Sequence, residues 1–137
     1  MSAAPQFVAA GVSHHLGTYP DAVAIPAGAT QVVLSGTPGL RPDGTRPADF
    51  AEEARQAWDN VREALRCAGA ELGDIVQVRA WLTDPDVIDT YVKVRNDVIS
   101  HRPAYMLAVV PRLIRPDLRL KIEVTAVVTH PAAKQDE

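Results

Sequence analysis

The sequence predicts an α+β domain in which a six-stranded mixed sheet carries two helices on one face. The first observation is the length of 137 residues, which suffices for one domain with a hydrophobic core. The second is that two segments place apolar residues at three- and four-residue intervals, as amphipathic helices do. The third is that most other segments are β-branched or alternate in polarity. Two helices cover only one face of such a sheet, so we expect the other face to be open.

Three strands are predicted before the first helix. Residues 7–10 and 22–25 are short apolar runs that we expect to pair as an opening hairpin. Residues 31–35 form a β-branched run that ends at Gly36. The turn-rich stretch TPGLRPDGTRP follows, and it is predicted to be a loop.

Two helices are predicted from their caps and from their apolar spacing. The first lies between Asp49, a suitable N-cap, and Gly69, a suitable C-terminal stop. Its apolar stripe consists of Phe50, Ala54, Ala57, Trp58, Val61, Leu65 and Ala68. The second begins at Asp84, which can cap it, and Pro85, which suits the first helical position. The residues at helical spacing there are Val87, Ile88, Tyr91, Val92, Arg95, Val98 and Ile99.

Three further strands are predicted, at residues 75–83, 106–113 and 118–128. The first and last of these alternate between apolar and polar side chains, which is typical of strands with one face on a core. Their second face carries Arg79, Trp81, Lys121, Glu123 and Thr125. A tryptophan beside charged groups on an open sheet face indicates a surface that meets another subunit. We therefore expect an oligomer.

Composition and charge argue against several classes of partner. The formal net charge is −3, whereas phosphate binding needs a concentrated basic face, so no nucleic acid is expected. No apolar run approaches the roughly 18 residues of a membrane span, and no secretory signal pattern stands at the N-terminus. We therefore expect a cytoplasmic protein. His14 and His15 are adjacent and would point to opposite faces, so no metal site is expected.

Four segments, taken in order, carry family motifs. They are GTYPDAV at residues 17–23, VVLSG at residues 32–36, the stretch from Ala68-Gly69-Ala70 to Leu82-Thr83-Asp84, and the closing series from Pro103-Ala104 to Ile122-Glu123-Val124. Together they resemble the Rid (reactive intermediate deaminase, YjgF-type) family over nearly the whole chain. The resemblance implies a fold similar to trimeric chorismate mutase, with residues 1–130 as one domain. It also implies a homotrimer with small-molecule sites between subunits and no cofactor. Residues 131–137 are small and charged, which predicts a flexible tail.

One departure from the family bears directly on function. In the family, an arginine after Pro-Ala pairs with the carboxylate of an imine or enamine, which is hydrolysed to a keto acid and ammonia. Here Tyr105 stands in its place. Losing a hydrogen bond to a charged group costs about 1.5–3 kcal/mol, which is about tenfold to a hundredfold in affinity. The usual imino-acid substrates are therefore not expected.

The resemblance implies a set of site residues. Glu123, which the chain retains, would move a proton or water, and Tyr105 would orient the ligand. The substrate-binding residues would be Tyr19, Ser35, Gly36 and Arg79. Arg79 could supply a displaced guanidinium, although a salt bridge with an acidic neighbour is the simpler use. Two alternatives remain at this point: a ligand- or partner-binding trimer without catalysis, and an endoribonuclease, which an acidic chain does not favour.

Overall fold

The computed structural model describes residues 4–129 as two helices and seven strands. The helices are α1 (Phe50–Cys67) and α2 (Ile88–Val98). The strands are β1 (Gln6–Val8), β2 (Ala22–Ala24), β3 (Thr30–Val33), β4 (Thr37–Pro38), β5 (Ile75–Leu82), β6 (Ala104–Val109) and β7 (Leu120–Val128). The tail predicted at residues 131–137 lies outside the described residues.

Both predicted helices are confirmed, together with their caps. The Asp49 side chain accepts a hydrogen bond from the Glu52 backbone N–H at 3.2 Å, which satisfies a free donor of the first turn of α1. The Asp84 carboxylate accepts from the Asp86 N–H at 2.8 Å. A 3₁₀ turn, Pro85–Val87, then leads into α2. The chain reverses at Gly69, whose φ of +87° favours glycine.

The main sheet is mixed, which confirms the α+β class. Its order is β3-β7-β5-β6, with β4 also pairing with β7, and the β5–β6 pair is parallel while the other pairs are antiparallel. The opening hairpin of β1 and β2 forms as predicted, but it is a separate two-stranded sheet. The main sheet therefore has five strands, not six. The strand of this sheet that was not predicted is β4. It has only two residues and lies in a turn-rich stretch, so it shows no alternation of apolar and polar side chains.

Strand β6 is displaced from its predicted position at residues 106–113. It begins at Ala104 and ends at Val109, and the Val110 N–H makes one further bond to the Leu82 carbonyl at 2.8 Å. Pro111 has no N–H to donate, so the parallel ladder cannot continue through it. The earlier start brings Tyr105 into the strand, which decides the face on which its side chain lies.

The two helices pack on one face of the main sheet and bury the core against it. The alternation predicted for β5 and β7 is confirmed, because Val78, Leu82 and Ile122 are buried whereas Arg79 and Glu123 remain accessible. Within residues 4–129, no helix has the length and apolar character that crossing a membrane requires. The open face and the helix face therefore offer chemically different surfaces.

Candidate functional site

The six predicted site residues lie in two groups on opposite faces of the sheet. Tyr105 pairs with Val78, which is buried under the helices, so its ring lies on the helix face. Glu123 pairs with Arg79, one residue along β5, and both side chains lie on the open face. Within one chain, Tyr105 and Glu123 therefore cannot act on the same ligand.

The open-face group consists of Arg79, Trp81 and Glu123. The Arg79 Nη1 atom lies 3.5 Å from Glu123 Oε1, and the Trp81 Nε1–H donates to Glu123 Oε2 at 3.3 Å. This is the salt bridge that the sequence suggested for Arg79. The side chains of Arg79 and Glu123 keep 49% and 39% of their exposure, so water screens the pair and its net contribution to stability is small. A positioned carboxylate with access to solvent can accept a proton from water.

Ser35 and Gly36 extend the open-face group from the far side of β7. They form the link between β3 and β4, and the Ser35 carbonyl accepts a hydrogen bond from the Thr37 hydroxyl at 3.0 Å. A Cβ on Gly36 would lie 3.3 Å from Lys121 Cδ and 4.0 Å from Glu123 Cγ. The backbone at Gly36 thus approaches the carboxylate closely. A shallow cavity of about 130 Å³ lies beside Arg79 and Glu123.

Tyr19 and Tyr105 belong to a second and larger recess, the helix-side cleft. It has a volume of about 420 Å³ and is lined by Leu16, Gly17, Thr18, Tyr19, Ile88, Val92, Arg95, Asn96, Tyr105 and Leu107. The rings of Tyr19 and Tyr105 meet edge to face, with centroids 5.9 Å apart. The cleft therefore combines aromatic and aliphatic walls with one charged side chain, as small-molecule sites do.

The loop that carries Tyr19 is held by Asp21. Its carboxylate accepts hydrogen bonds from the backbone N–H of Ala10 at 2.6 Å and of Ser13 at 2.7 Å. These bonds, led by the one from Ala10, hold the pKa of Asp21 below its usual value. The Ser13 hydroxyl in turn donates to the Tyr19 carbonyl. Gly17 allows the Tyr19 ring to fold back against the backbone, because a Cβ at residue 17 would lie only 2.8 Å from that ring.

Arg95 is the cleft residue that the sequence reasoning did not single out. It lies on α2, and its guanidinium carbon is 3.7 Å from the centroid of the Tyr105 ring and 6.0 Å from that of Tyr91. Its Nε is buried and has no hydrogen-bond partner within residues 4–129. The sequence nevertheless carries a signal for it, because Arg95 is the one charged residue in the series of α2 positions that are otherwise apolar or aromatic.

Tyr105 supports this arginine with its ring rather than its hydroxyl. The hydroxyl is buried and finds no partner among the described residues. Burial raises the pKa of Tyr105, and this outweighs the lowering by the charges of Arg95 and Arg102. The phenol is therefore neutral at physiological pH. Across the described part of the chain, no group of three or more His, Cys, Asp or Glu side chains is arranged to hold a metal ion.

The chain matches one protein family over most of its length. The family model described as Endoribonuclease L-PSP matches residues 13–128. The RutC family protein YjgH of Escherichia coli (strain K12) is 37% identical over 71 residues, which cover 51% of this chain and 54% of YjgH. This match thus spans about half the length of that relative. The 2-iminobutanoate/2-iminopropanoate deaminase of the same strain is 34% identical over 101 residues, which cover 70% of this chain and 78% of the deaminase.

The fold is also similar to solved structures. Rv2704 from Mycobacterium tuberculosis, described as a member of the YjgF/YER057c/UK114 family, superposes with a TM-score of 0.66 at 30% identity. The superposition covers 91% of this chain and 100% of Rv2704.

Proposed function

This chain belongs to the Rid (YjgF) family, and we propose that it is a homotrimer that hydrolyses or tautomerises a small imine, enamine or enol in clefts between subunits. The observation that carries the proposal is the division of the site residues between the two faces of the sheet. The open-face group has a carboxylate beside a cavity of only about 130 Å³. The helix-side cleft has walls but no base. A second copy that places its open face beside the cleft would complete both.

Exposed apolar side chains support such an assembly. Val33 pairs with Thr125 on the open face and is 73% exposed, and Met106, which pairs with Arg79, is 36% exposed. Covering apolar side chains of this kind is the main source of free energy in most protein association. Together with Trp81, they form an apolar margin around the charged pair of the open face. We take this margin as the contact surface between subunits.

In the proposed reaction, Glu123 takes a proton from water as the water oxygen attacks the carbon of a C=N bond. That proton passes from Glu123 to the nitrogen and gives a neutral carbinolamine. Glu123 then takes the proton of the carbinolamine hydroxyl and delivers it to the nitrogen as the C–N bond breaks, so that ammonia and a carbonyl compound leave. The backbone at Ser35 and Gly36 holds the oxygen, while Tyr19 and Tyr105 of the neighbouring subunit orient the ligand. The overall balance is imine plus water to carbonyl plus ammonia, and no cofactor enters. A positioned acid–base group of this kind contributes about 10²–10⁴-fold.

The relatives support the reaction class and not its exact substrate. The Escherichia coli relative is by name a deaminase of 2-iminobutanoate and 2-iminopropanoate. This chain has Tyr105 where the family has its carboxylate-binding arginine. We therefore propose a substrate other than these two small imino acids.

A ligand-binding trimer without catalysis is the second candidate. The observation that favours it is the engagement of both Glu123 oxygens, one by Arg79 and one by Trp81. A carboxylate whose oxygens are both engaged is less available to take a proton from water. This candidate expects metabolite binding without turnover.

The endoribonuclease in the family description is not supported by the charge distribution. The arginines of the 112–119 stretch are engaged by neighbouring groups. Arg112 donates to the Leu113 and Ile114 carbonyls, and Arg115 pairs with Asp117 at 2.7 Å. RNA binding would need such cations to be free and to lie on one face.

The test is ammonia release from imines formed in situ by an amino-acid oxidase, with several amino acids of increasing side-chain size. We expect the natural protein to accelerate release and Glu123→Gln to lose about 100-fold or more of this rate. Glu63→Gln, an exposed carboxylate paired with Arg66 on α1, is the matched control and should retain the rate. Binding without acceleration for any imine would favour the second candidate. Equal rates for Glu123→Gln and the natural protein would remove Glu123 from the mechanism.

The assembly is tested separately, by light scattering or sedimentation. We expect a trimer for the natural protein and a smaller species for Val33→Asp, because a carboxylate would be buried against apolar groups. Ala64→Asp, on the exposed side of α1, makes the same kind of change away from the sheet and should stay trimeric. A trimer that persists in Val33→Asp would exclude the open face as the contact surface.

A further inference from the structure

Arg95 is a charged group without a counter-charge. Its side chain is half-buried, its Nε is buried and unpartnered, and no carboxylate of residues 4–129 forms an ion pair with it. Partial burial of a guanidinium is unfavourable unless an anion or hydrogen-bond acceptors compensate it. Such a group in the wall of a cleft indicates that the compensating anion comes with a ligand.

The rest of the cleft indicates what kind of anion this is. Leu16, Ile88, Val92 and Leu107 supply aliphatic walls, and Tyr19 supplies an aromatic edge. A volume of about 420 Å³ lies in the range of about 300–1,000 Å³ that small-molecule sites occupy. Apolar walls around one cation suit an organic anion with an apolar body, and not a bare inorganic ion.

The stacking of Arg95 on Tyr105 explains how a half-buried guanidinium can bind an organic anion. A guanidinium lying over an aromatic face keeps its N–H groups directed outward in its own plane, where they can donate two parallel bonds to a carboxylate. Cation–π attraction to the Tyr105 ring, 3.7 Å away, holds the guanidinium in place. Tyr105, although it stands at the position of the family's arginine, thus serves as the platform for an arginine on another element.

We propose that Arg95 is the anion-binding residue of the helix-side cleft, and that it selects small carboxylates with an aliphatic or aromatic side chain. The inference rests on the proposed function in one respect: it takes this cleft as the ligand site. It differs from that proposal in concerning binding alone. The cleft would bind the carboxylate whether or not Glu123 then turns the ligand over.

Arg102 is the neighbouring cation that could be mistaken for this group. It is exposed, its Nε donates to the Thr18 hydroxyl at 3.2 Å, and its Nη1 contacts the His101 carbonyl at 3.2 Å. Arg102 contacts Thr18 at the edge of the cleft but does not itself line the cleft, which makes Arg102→Gln a matched control for Arg95→Gln.

The experiment measures binding of 4-methyl-2-oxopentanoate and of its neutral amide by calorimetry, with the full-length protein. We expect the natural protein to bind the acid more tightly than the amide by about tenfold to a hundredfold. Arg95→Gln should lose this preference, and Arg95→Lys should recover only part of it because a lysine lacks the planar fork. Arg102→Gln should bind within about twofold of the natural protein.

Three results would overturn the assignment: equal affinity for acid and amide in the natural protein, an unchanged preference in Arg95→Gln, or no binding of either probe. Tyr105→Leu provides a second variant, which keeps Arg95 but removes its platform, and it should weaken acid binding several-fold. Circular dichroism confirms that each variant is folded before its affinity is compared.

Ammonia release, measured on the same proteins, separates this inference from the proposed function. Acid binding that depends on Arg95, in a protein that releases no ammonia from any imine, would support Arg95 and overturn the hydrolytic proposal. Ammonia release by the natural protein, together with an acid preference that survives in Arg95→Gln, would overturn Arg95 and leave the hydrolytic proposal standing.

Discussion

Glu53 and Arg95 both carry charge into the interior, but their surroundings differ completely. The Glu53 side chain is 0% exposed, and both its oxygens are used. Oε1 accepts from Arg119 Nε at 2.6 Å and lies 3.4 Å from Arg46 Nη1, and Oε2 accepts from the Arg119 backbone N–H at 2.9 Å. Arg95 has an aromatic ring beneath it, and no acceptor among the described residues reaches it.

The difference separates a structural charge from a ligand-binding one. Glu53 ties α1 to the segment before β7, and its partners satisfy it within the chain. Removing Arg119 would leave this buried charge with weaker compensation, from the longer Arg46 contact. Arg95 is already uncompensated, so its removal should cost the fold little while it changes what the cleft binds. Stability and affinity should therefore respond in opposite ways at the two positions.

The largest expected effect is that of Arg119→Ala, which leaves the buried Glu53 carboxylate with Arg46 at 3.4 Å as its only charged partner among the described residues. We expect it to lower the free energy of unfolding by about 3–5 kcal/mol, measured by urea denaturation. The control is Arg62→Ala, which removes an exposed pair with Asp59 of 2.9 Å and should cost about 0–1 kcal/mol. Equal costs for the two variants would mean that Glu53 is not the buried anchor its contacts indicate.

The next effect concerns the glycine that lets β4 approach Glu53. A Cβ on Gly39 would lie 2.1 Å from the Glu53 backbone oxygen and 2.8 Å from its Cγ. Gly39→Ala should therefore cost about 1–3 kcal/mol or more, since neither neighbour can move freely. Gly73→Ala, where a Cβ would meet nothing within 4 Å, should stay within about 0.5 kcal/mol. Thermal unfolding of the two variants compares them directly.

A smaller, pH-dependent effect is expected at Asp21, which is satisfied like Glu53 but lies at the surface. Its lowered pKa means that the folded state favours the carboxylate. The stabilisation is therefore present above the unfolded value of about 3.9 and is lost as the pH falls through the lower folded value. The amide signals of Ala10 and Ser13 should follow this titration by NMR, and Asp21→Asn should abolish it. A midpoint at or above 3.9 would contradict the prediction.

The smallest effect on stability is expected at Arg95. Arg95→Gln removes an unpaired charge and its contacts with the rings of Tyr105 and Tyr91, so the free energy of unfolding should change by less than about 1 kcal/mol. The pKa of Tyr105 should rise further, because the charge of Arg95 now lowers it. Tyrosinate absorbance in an alkaline titration measures this shift, and Arg102→Gln should give a smaller one. A destabilisation like that of Arg119→Ala would make Arg95 a structural residue.

The elements that local signals specify were predicted well. Asp49 and Gly69 bound α1, and Asp84 starts the turn into α2, because caps and stops act over three or four residues. Strand β4 and the start of β6 were not predicted, because strand pairing depends on partners far along the chain. Residues 37–38 are a strand only through their pairing with β7.

The candidate site was predicted residue by residue but not in its arrangement. The sequence alone determined the two helices, the alternating faces of β5 and β7, the retained Glu123 and the replacement of the family arginine by Tyr105. Tertiary structure decided that Tyr105 shares a face with Val78 and lies under Arg95, away from Glu123. The physical reason is the two-residue period of a strand: a shift of one residue in the register of β6 would move Tyr105 to the other face.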